Sequence, residues 1–221
     1  MSQVAENIVQ LMREIEKSAQ CVGRFSSDVQ LVAVSKRQPA AKIAEALEAG
    51  QRCFGENKVQ EALEHWQGLK ADYADLSLHL IGPLQTNKVK DAVALFDVIE
   101  TVDRPKLVKE LASEMKKQNR FLPCFVQVNT GAEDQKAGVA VEDLSDLLQL
   151  CGDEGLEVTG LMCIPPVDEP AALHFALLSK LAKRHGLENL SMGMSGDFEK
   201  AIALGATYIR IGTALFGSRM A

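Results

Sequence analysis

Eight times along this chain a short, apolar, often β-branched run is followed by a segment with helical periodicity. The runs are VQLVAVSK (29–36), RCF (52–54), SLHLIG (77–82), FDVIET (96–101), PCFVQVN (123–129), LEVTGLMCI (156–164), NLSMG (189–193) and TYIRIG (207–212). Helical segments are predicted over 41–50, 57–68, 87–95, 104–118, 141–151, 169–185 and 196–204, with a short apolar turn after the last strand. Strands apolar on both faces belong to parallel sheets covered by helices. Eight βα units in series predict an α/β fold, a single (β/α)8 TIM barrel. A doubly wound open sheet is the alternative, because alternation alone does not show closure. Before the repeat, residues 4–19 place Ile8, Leu11, Met12, Ile15 and Ala19 at spacings of three and four, an amphipathic helix expected to cover the bottom of the barrel. The expected layout is one domain over 1–221, with 1–28 as N-terminal helix and lead-in and 29–218 as barrel.

Length and composition narrow the function. A chain of 221 residues can bury a core without disulfides or a structural metal. Net charge is −6, from 24 basic and 30 acidic side chains, which argues against a dedicated nucleic-acid binder but allows a local anion pocket. No apolar run approaches a membrane span, and Glu6, Arg13, Glu14 and Glu16 interrupt the first helix as no signal peptide would. The five cysteines (Cys21, Cys53, Cys124, Cys151, Cys163) are widely spaced without a CxxC, so free thiols in a cytoplasmic protein are expected. The four histidines show no ligand spacing, and no metal site is expected.

In a barrel of this kind the chemistry lies where strands end and loops begin. Lys36 ends the first strand on the face of Val32 and Val34. A lysine in low-dielectric surroundings can form a Schiff base with an aldehyde, and one at a strand end can equally reach out to water. Lys58, Lys88 and Lys136 are competing amines in helix or loop patterns. The turns SMGMSGD (191–197) and RIGTALFG (210–217) follow the last two strands and each opens a helical segment. Backbone N–H groups at such starts bind phosphate, and barrels place phosphate at these two loops. Ser195 and Thr213 can also act simply as N-caps. Arg210, inside the last strand, needs either an acid such as Glu56 or a ligand's ring nitrogen as partner. His79 reads as a core histidine satisfied by neighbours. An amine, a phosphate cradle and a buried guanidinium together suit a phosphorylated aldehyde, and pyridoxal phosphate fits that description.

The segments LVAVSK (31–36), FGENKVQE (54–61), HLIGPLQTNK (79–88), VNTGAEDQKAGV (128–139), GLMCIPP (160–166), LSMGMSGDFEKAI (190–202) and RIGTALFG (210–217) resemble, in order, one family: the YggS-type pyridoxal phosphate homeostasis proteins, related to the N-terminal domain of alanine racemase. The resemblance implies that pyridoxal 5'-phosphate is held as an internal aldimine on Lys36. It also implies that Asn57 lies near the cofactor, that Ser195, Gly212 and Thr213 hold the phosphate, and that Arg210 faces the pyridine nitrogen. It assigns no role to the GAED segment (131–134) and leaves the role of His79 open.

Pyridoxal phosphate enzymes need proton-transfer groups around the substrate α-carbon. A two-base racemase needs a second base, which by the family relationship is a tyrosine from a C-terminal domain across a dimer. This chain offers only Tyr73 and Tyr208, and neither is an obvious second base. The favoured function is therefore a protein that holds and delivers pyridoxal phosphate without robust turnover, as a cytoplasmic monomer, with apo-enzymes that need the cofactor as acceptors and no nucleic-acid or membrane partner. The alternatives are a racemase-like enzyme of weak activity and a Schiff-base aldolase.

Overall fold

A computed structural model describes residues 2–133 and 135–217. Helix α1 is Gln3–Gln20, followed by β1 Gln30–Val34, α2 Ala40–Glu48, β2 Cys53–Glu56, α3 Val59–Trp66, β3 Ser77–Leu80, α4 Val89–Leu95, β4 Val98–Val102 and α5 Pro105–Gln118. The second half runs β5 Cys124–Gln127, α6 Leu144–Glu154, β6 Val158–Met162, α7 Ala171–Arg184, β7 Asn189–Ser191, α8 Phe198–Ala203, β8 Tyr208–Ile211 and α9 Thr213–Phe216. The strands close into a parallel barrel in chain order. The closing pair aligns Val32 with Arg210 and Ala33 with Ile211, which rules out the open doubly wound sheet. The expected barrel end at residue 218 and Asp134 of GAED lie outside the described residues. Among the described residues no helix is long and apolar enough to cross a membrane.

Strand alternation splits the interior in two. Leu31, Ala33, Phe54, Leu78, Leu80, Ile99, Val126, Leu161 and Ile209 point outward and pack under the helices as the main apolar core. Val98, Phe125 and Met162, with Tyr208 packed on them, fill part of the barrel itself. Phe125 and Tyr208 meet edge to face at 5.5 Å between ring centroids.

Helix α1 corrects its expected place. Its apolar stripe is Val4, Ile8, Leu11, Ile15 and Ala19, while Met12 is exposed. It packs against α2, α8 and α9 on the outside of the barrel rather than across the bottom. The reason is geometric: α9 is only four residues long, too short to cover the β8–β1 seam, and α1 fills that slot. Asn7 Nδ2 donates to the Leu215 carbonyl at 2.8 Å, and the Arg24 guanidinium bonds the carbonyls of Ile202 and Ala206. Two smaller differences matter. Strand β2 continues to Glu56 instead of stopping at 54. Helix α6 starts at Leu144 and runs through Gly152 to Gly155, whose φ of 75° closes it in the left-handed conformation.

Candidate functional site

A cavity of about 280 Å³ opens at the C-terminal ends of the strands, lined by Val34, Lys36, Asn57, Ile81, Ile164, Met194, Ser195, Gly196, Arg210, Gly212 and Thr213. Lys36, Asn57, Ser195, Arg210, Gly212 and Thr213, all singled out from the sequence, therefore share one space. Larger grooves of about 570 and 590 Å³, one between α6 and the loops after β4 and β5 and one between α7 and the end of α8, gather none of these residues. Of the competing amines, Lys58 and Lys88 border a neighbouring cavity that shares Asn57. Lys136 pairs with Glu133 at 2.5 Å.

Lys36 sits two residues past the end of β1, half-buried. Its two chain neighbours are clamped from α3 and β2. Ser35 Oγ donates to Glu56 Oε1 at 2.7 Å, and the Arg37 backbone N–H donates to Glu61 Oε1. Arg37 has φ 56°, the left-handed region that costs a non-glycine residue energy and persists where neighbours enforce it. The result is a sharp, fixed turn around the lysine. Asn57, one residue past β2, is held by Gly82 of the next strand's loop. A Cβ at position 82 would stand 2.2 Å from the Asn57 carbonyl oxygen, so only glycine allows that approach.

The two turns after β7 and β8 meet at Ser195, whose Oγ accepts from the Ala214 N–H at 3.4 Å. Gly193, at φ 95°, presses its loop onto α8, where a Cβ would lie 2.5 Å from the Cβ of Ala201. A Cβ at Gly196 meets nothing within 4 Å, so the backbone there faces open space. The lining carries an amine, a guanidinium, a carboxamide, two hydroxyls, the turn before α8 and the start of α9, and among the described residues it contains no carboxylate. That donor set fits a small dianion carrying an electrophilic carbonyl.

Arg210 is almost fully buried and does not pair with Glu56. Its Nη1 donates to Ser191 Oγ at 2.6 Å and its Nη2 to the Cys163 carbonyl at 2.9 Å. Ser191 Oγ in turn donates to Glu100 Oε2 at 2.5 Å, and His79 Nδ1 donates to Glu100 Oε1 at 2.6 Å. Burial works against the charge of His79, but Cys53 and Glu100 outweigh it and raise the imidazole to about 10. Burial likewise opposes ionisation of Glu100, yet His79, Arg210 and Ser191 hold its carboxyl below the usual range. Glu56 faces the other way, out of the barrel, because it falls on the outward parity of β2. Its Oε1 accepts from Ser35, from His65 Nδ1 at 2.9 Å and from Trp66 Nε1 at 3.1 Å.

Glu100 and Ser191 are thus the residues that sequence reasoning missed. The signal was present: Glu100 shares its strand parity with Val98, and a strand-borne arginine requires an inward acid. His79 is satisfied as expected, by Glu100 and by Ser77 Oγ at 3.2 Å. The structure also brings Glu56, Glu61 and His65 within 4.8 Å of one another, which their spacing did not announce.

A closed barrel with its polar groups gathered at the strand C-termini is the architecture of the alanine racemase N-terminal domain family, whose sequence profile matches residues 7–220. Whole-chain relatives narrow this. The pyridoxal phosphate homeostasis protein of Pseudomonas aeruginosa is 45% identical over 227 residues, covering 99% of this chain and 97% of the relative. The protein PipY of Synechococcus elongatus, solved with pyridoxal phosphate bound, superposes with a TM-score of 0.83 at 39% identity, covering 97% of this chain and 100% of the other. The same protein without the cofactor gives 0.85. The chain belongs to the pyridoxal phosphate homeostasis protein family. Alanine racemase of Clostridium difficile shares the fold, with a TM-score of 0.71 at 14% identity; the match covers 95% of this chain and 57% of the racemase.

Proposed function

We propose that this chain binds pyridoxal 5'-phosphate and serves its homeostasis, holding the cofactor and handing it to apo-enzymes. In this reading Lys36 Nζ attaches the aldehyde as a Schiff base. The hydroxyls of Ser195 and Thr213, with the backbone of Gly196 and Gly212, receive the phosphate. Asn57 flanks the ring and Arg210 faces its nitrogen. The observation that carries the reading is the convergence of these residues on one carboxylate-free cavity. The PipY complex and the names of the relatives support the same cofactor. When bound, the cofactor supplies an electron sink; a guanidinium opposite the ring nitrogen keeps that nitrogen unprotonated and the sink weak.

Holding is favoured over turnover by the tyrosines. Tyr208 lies at the start of β8, packed against Phe125 and His79, at the opposite end from the strand termini that frame the cavity. Tyr73 lies under the Arg52 guanidinium at 5.0 Å. Neither lines the cavity. A cytoplasmic monomer is the assembly that suits this role. The test is twofold. Loaded protein mixed with an apo-enzyme should restore that enzyme's activity. The same protein incubated with single-enantiomer amino acids should leave their optical rotation unchanged. Inversion at ordinary enzymatic rates, abolished by Lys36→Ala, would replace this reading with a racemase.

A further inference from the structure

We propose that Glu100 is the positioning residue for Arg210: through Ser191 it holds the guanidinium at the cavity and compensates its charge there. The proposal rests on the reading that pyridoxal phosphate occupies this cavity on Lys36. It concerns Glu100, which does not line the cavity and lies outside the motif segments around it.

The geometry is a buried chain across the barrel. Arg210 on β8 donates to Ser191 on β7, and Ser191 donates to Glu100 on β4. The other oxygen of Glu100 is taken by His79 on β3, whose second nitrogen meets Ser77. All four linked side chains, Arg210, Ser191, Glu100 and His79, are buried. Other titratable groups facing the chain are Cys53 on β2, beside His79, Tyr208 on β8, whose hydroxyl feels Glu100, and the thiol of Cys163, just past β6, which feels Arg210. A guanidinium left uncompensated in such an interior is costly and spreads its field into the cavity. Among the described residues Glu100 is the only acid this chain of bonds reaches. His79 competes for it: whatever share of the carboxylate's field the imidazolium takes is lost to Arg210. The pair therefore acts on the cavity with opposite signs.

Loaded protein should show a lysine-bound absorbance band that changes with pH, and its midpoint reads the field at the Schiff base. Glu100→Gln keeps the shape and removes the compensating charge. Its midpoint should fall by about half a pH unit, the release of the His79 proton offsetting part of the effect. His79→Gln frees Glu100 for Arg210 and should move the midpoint upward. A merely structural role would not give opposite shifts. Borohydride mapping of the wild-type protein separates the two levels. If the adduct is absent from Lys36, the cofactor reading fails and this proposal with it. If the adduct is on Lys36 but the variants titrate like wild type, or shift in the same direction, the role of Glu100 is overturned while the cofactor reading stands. Should Glu100→Gln fail to fold by circular dichroism, the His79→Gln titration alone decides: an upward shift supports the proposal and an unmoved midpoint defeats it.

Discussion

At the scale of single residues, the site is built by neighbours more than by the ligand-facing groups themselves. Lys36 is flanked by two clamped residues, Ser35 and Arg37, whose partners Glu56 and Glu61 come from β2 and α3. In the proposed reading the hydroxyls of Ser195 and Thr213, which both line the cavity, each donate one charge-assisted hydrogen bond to the phosphate. Removing either, as Ser195→Ala or Thr213→Ala, should weaken cofactor binding about tenfold by calorimetric titration, as the loss of one such bond does. The buried ion pair makes a second prediction. His79 has its pKa raised from the ordinary 6.5 to about 10 in the folded protein. A raised folded value contributes stability fully present below the unfolded pKa and lost as pH rises through the folded one. Melting temperature should therefore fall between pH 7 and about 10, and His79→Gln should flatten that limb. Glu100 acts in the opposite sense: its lowered pKa adds stability above its ordinary value of 4.5 that disappears as pH falls through the folded value.

At the scale of elements, loops at the strand ends transmit packing into the site. Gly82 presses on Asn57 so closely that Gly82→Ala must move one of the two backbones. Thermal melting should show that variant destabilised by about 2 kcal/mol or more, with cofactor affinity falling alongside. Helix α1 supports the last turn, since Asn7 holds the Leu215 carbonyl two residues beyond Thr213. Leu11, buried in the seam between α1 and the barrel helices, should cost about 3 kcal/mol when cut to alanine, read by denaturant unfolding. These elements also show what could be read in advance. The eight strands were legible because parallel strands buried on both faces are continuous apolar runs bounded by Gly, Pro and polar turns. Lys36 and Arg210 were legible because parity places them inside. The seat of α1 was not legible, because it depends on α9 being one turn long, a tertiary fact. Glu100 was passed over because parity with Val98 turns it inward but does not tell which inward group across the barrel it meets.

At the scale of the molecule, the barrel fills the described chain, and no second domain brings a base to the cavity among those residues. The racemase that shares the fold is matched over 57% of its length; here both tyrosines are spent in packing away from the cavity. The net charge of −6 sits beside a cavity whose described lining carries Lys36 and Arg210 and no acid. Everything in this account depends on the lysine at the end of β1. The most direct measurement is borohydride reduction of the protein loaded with pyridoxal phosphate, followed by digestion and mass mapping. A single reduced adduct is expected, on the peptide that contains Lys36, and none in Lys36→Ala. An adduct on Lys58, Lys88 or Lys136 with Lys36 unmodified, or a protein that stays colourless with the cofactor, would contradict it.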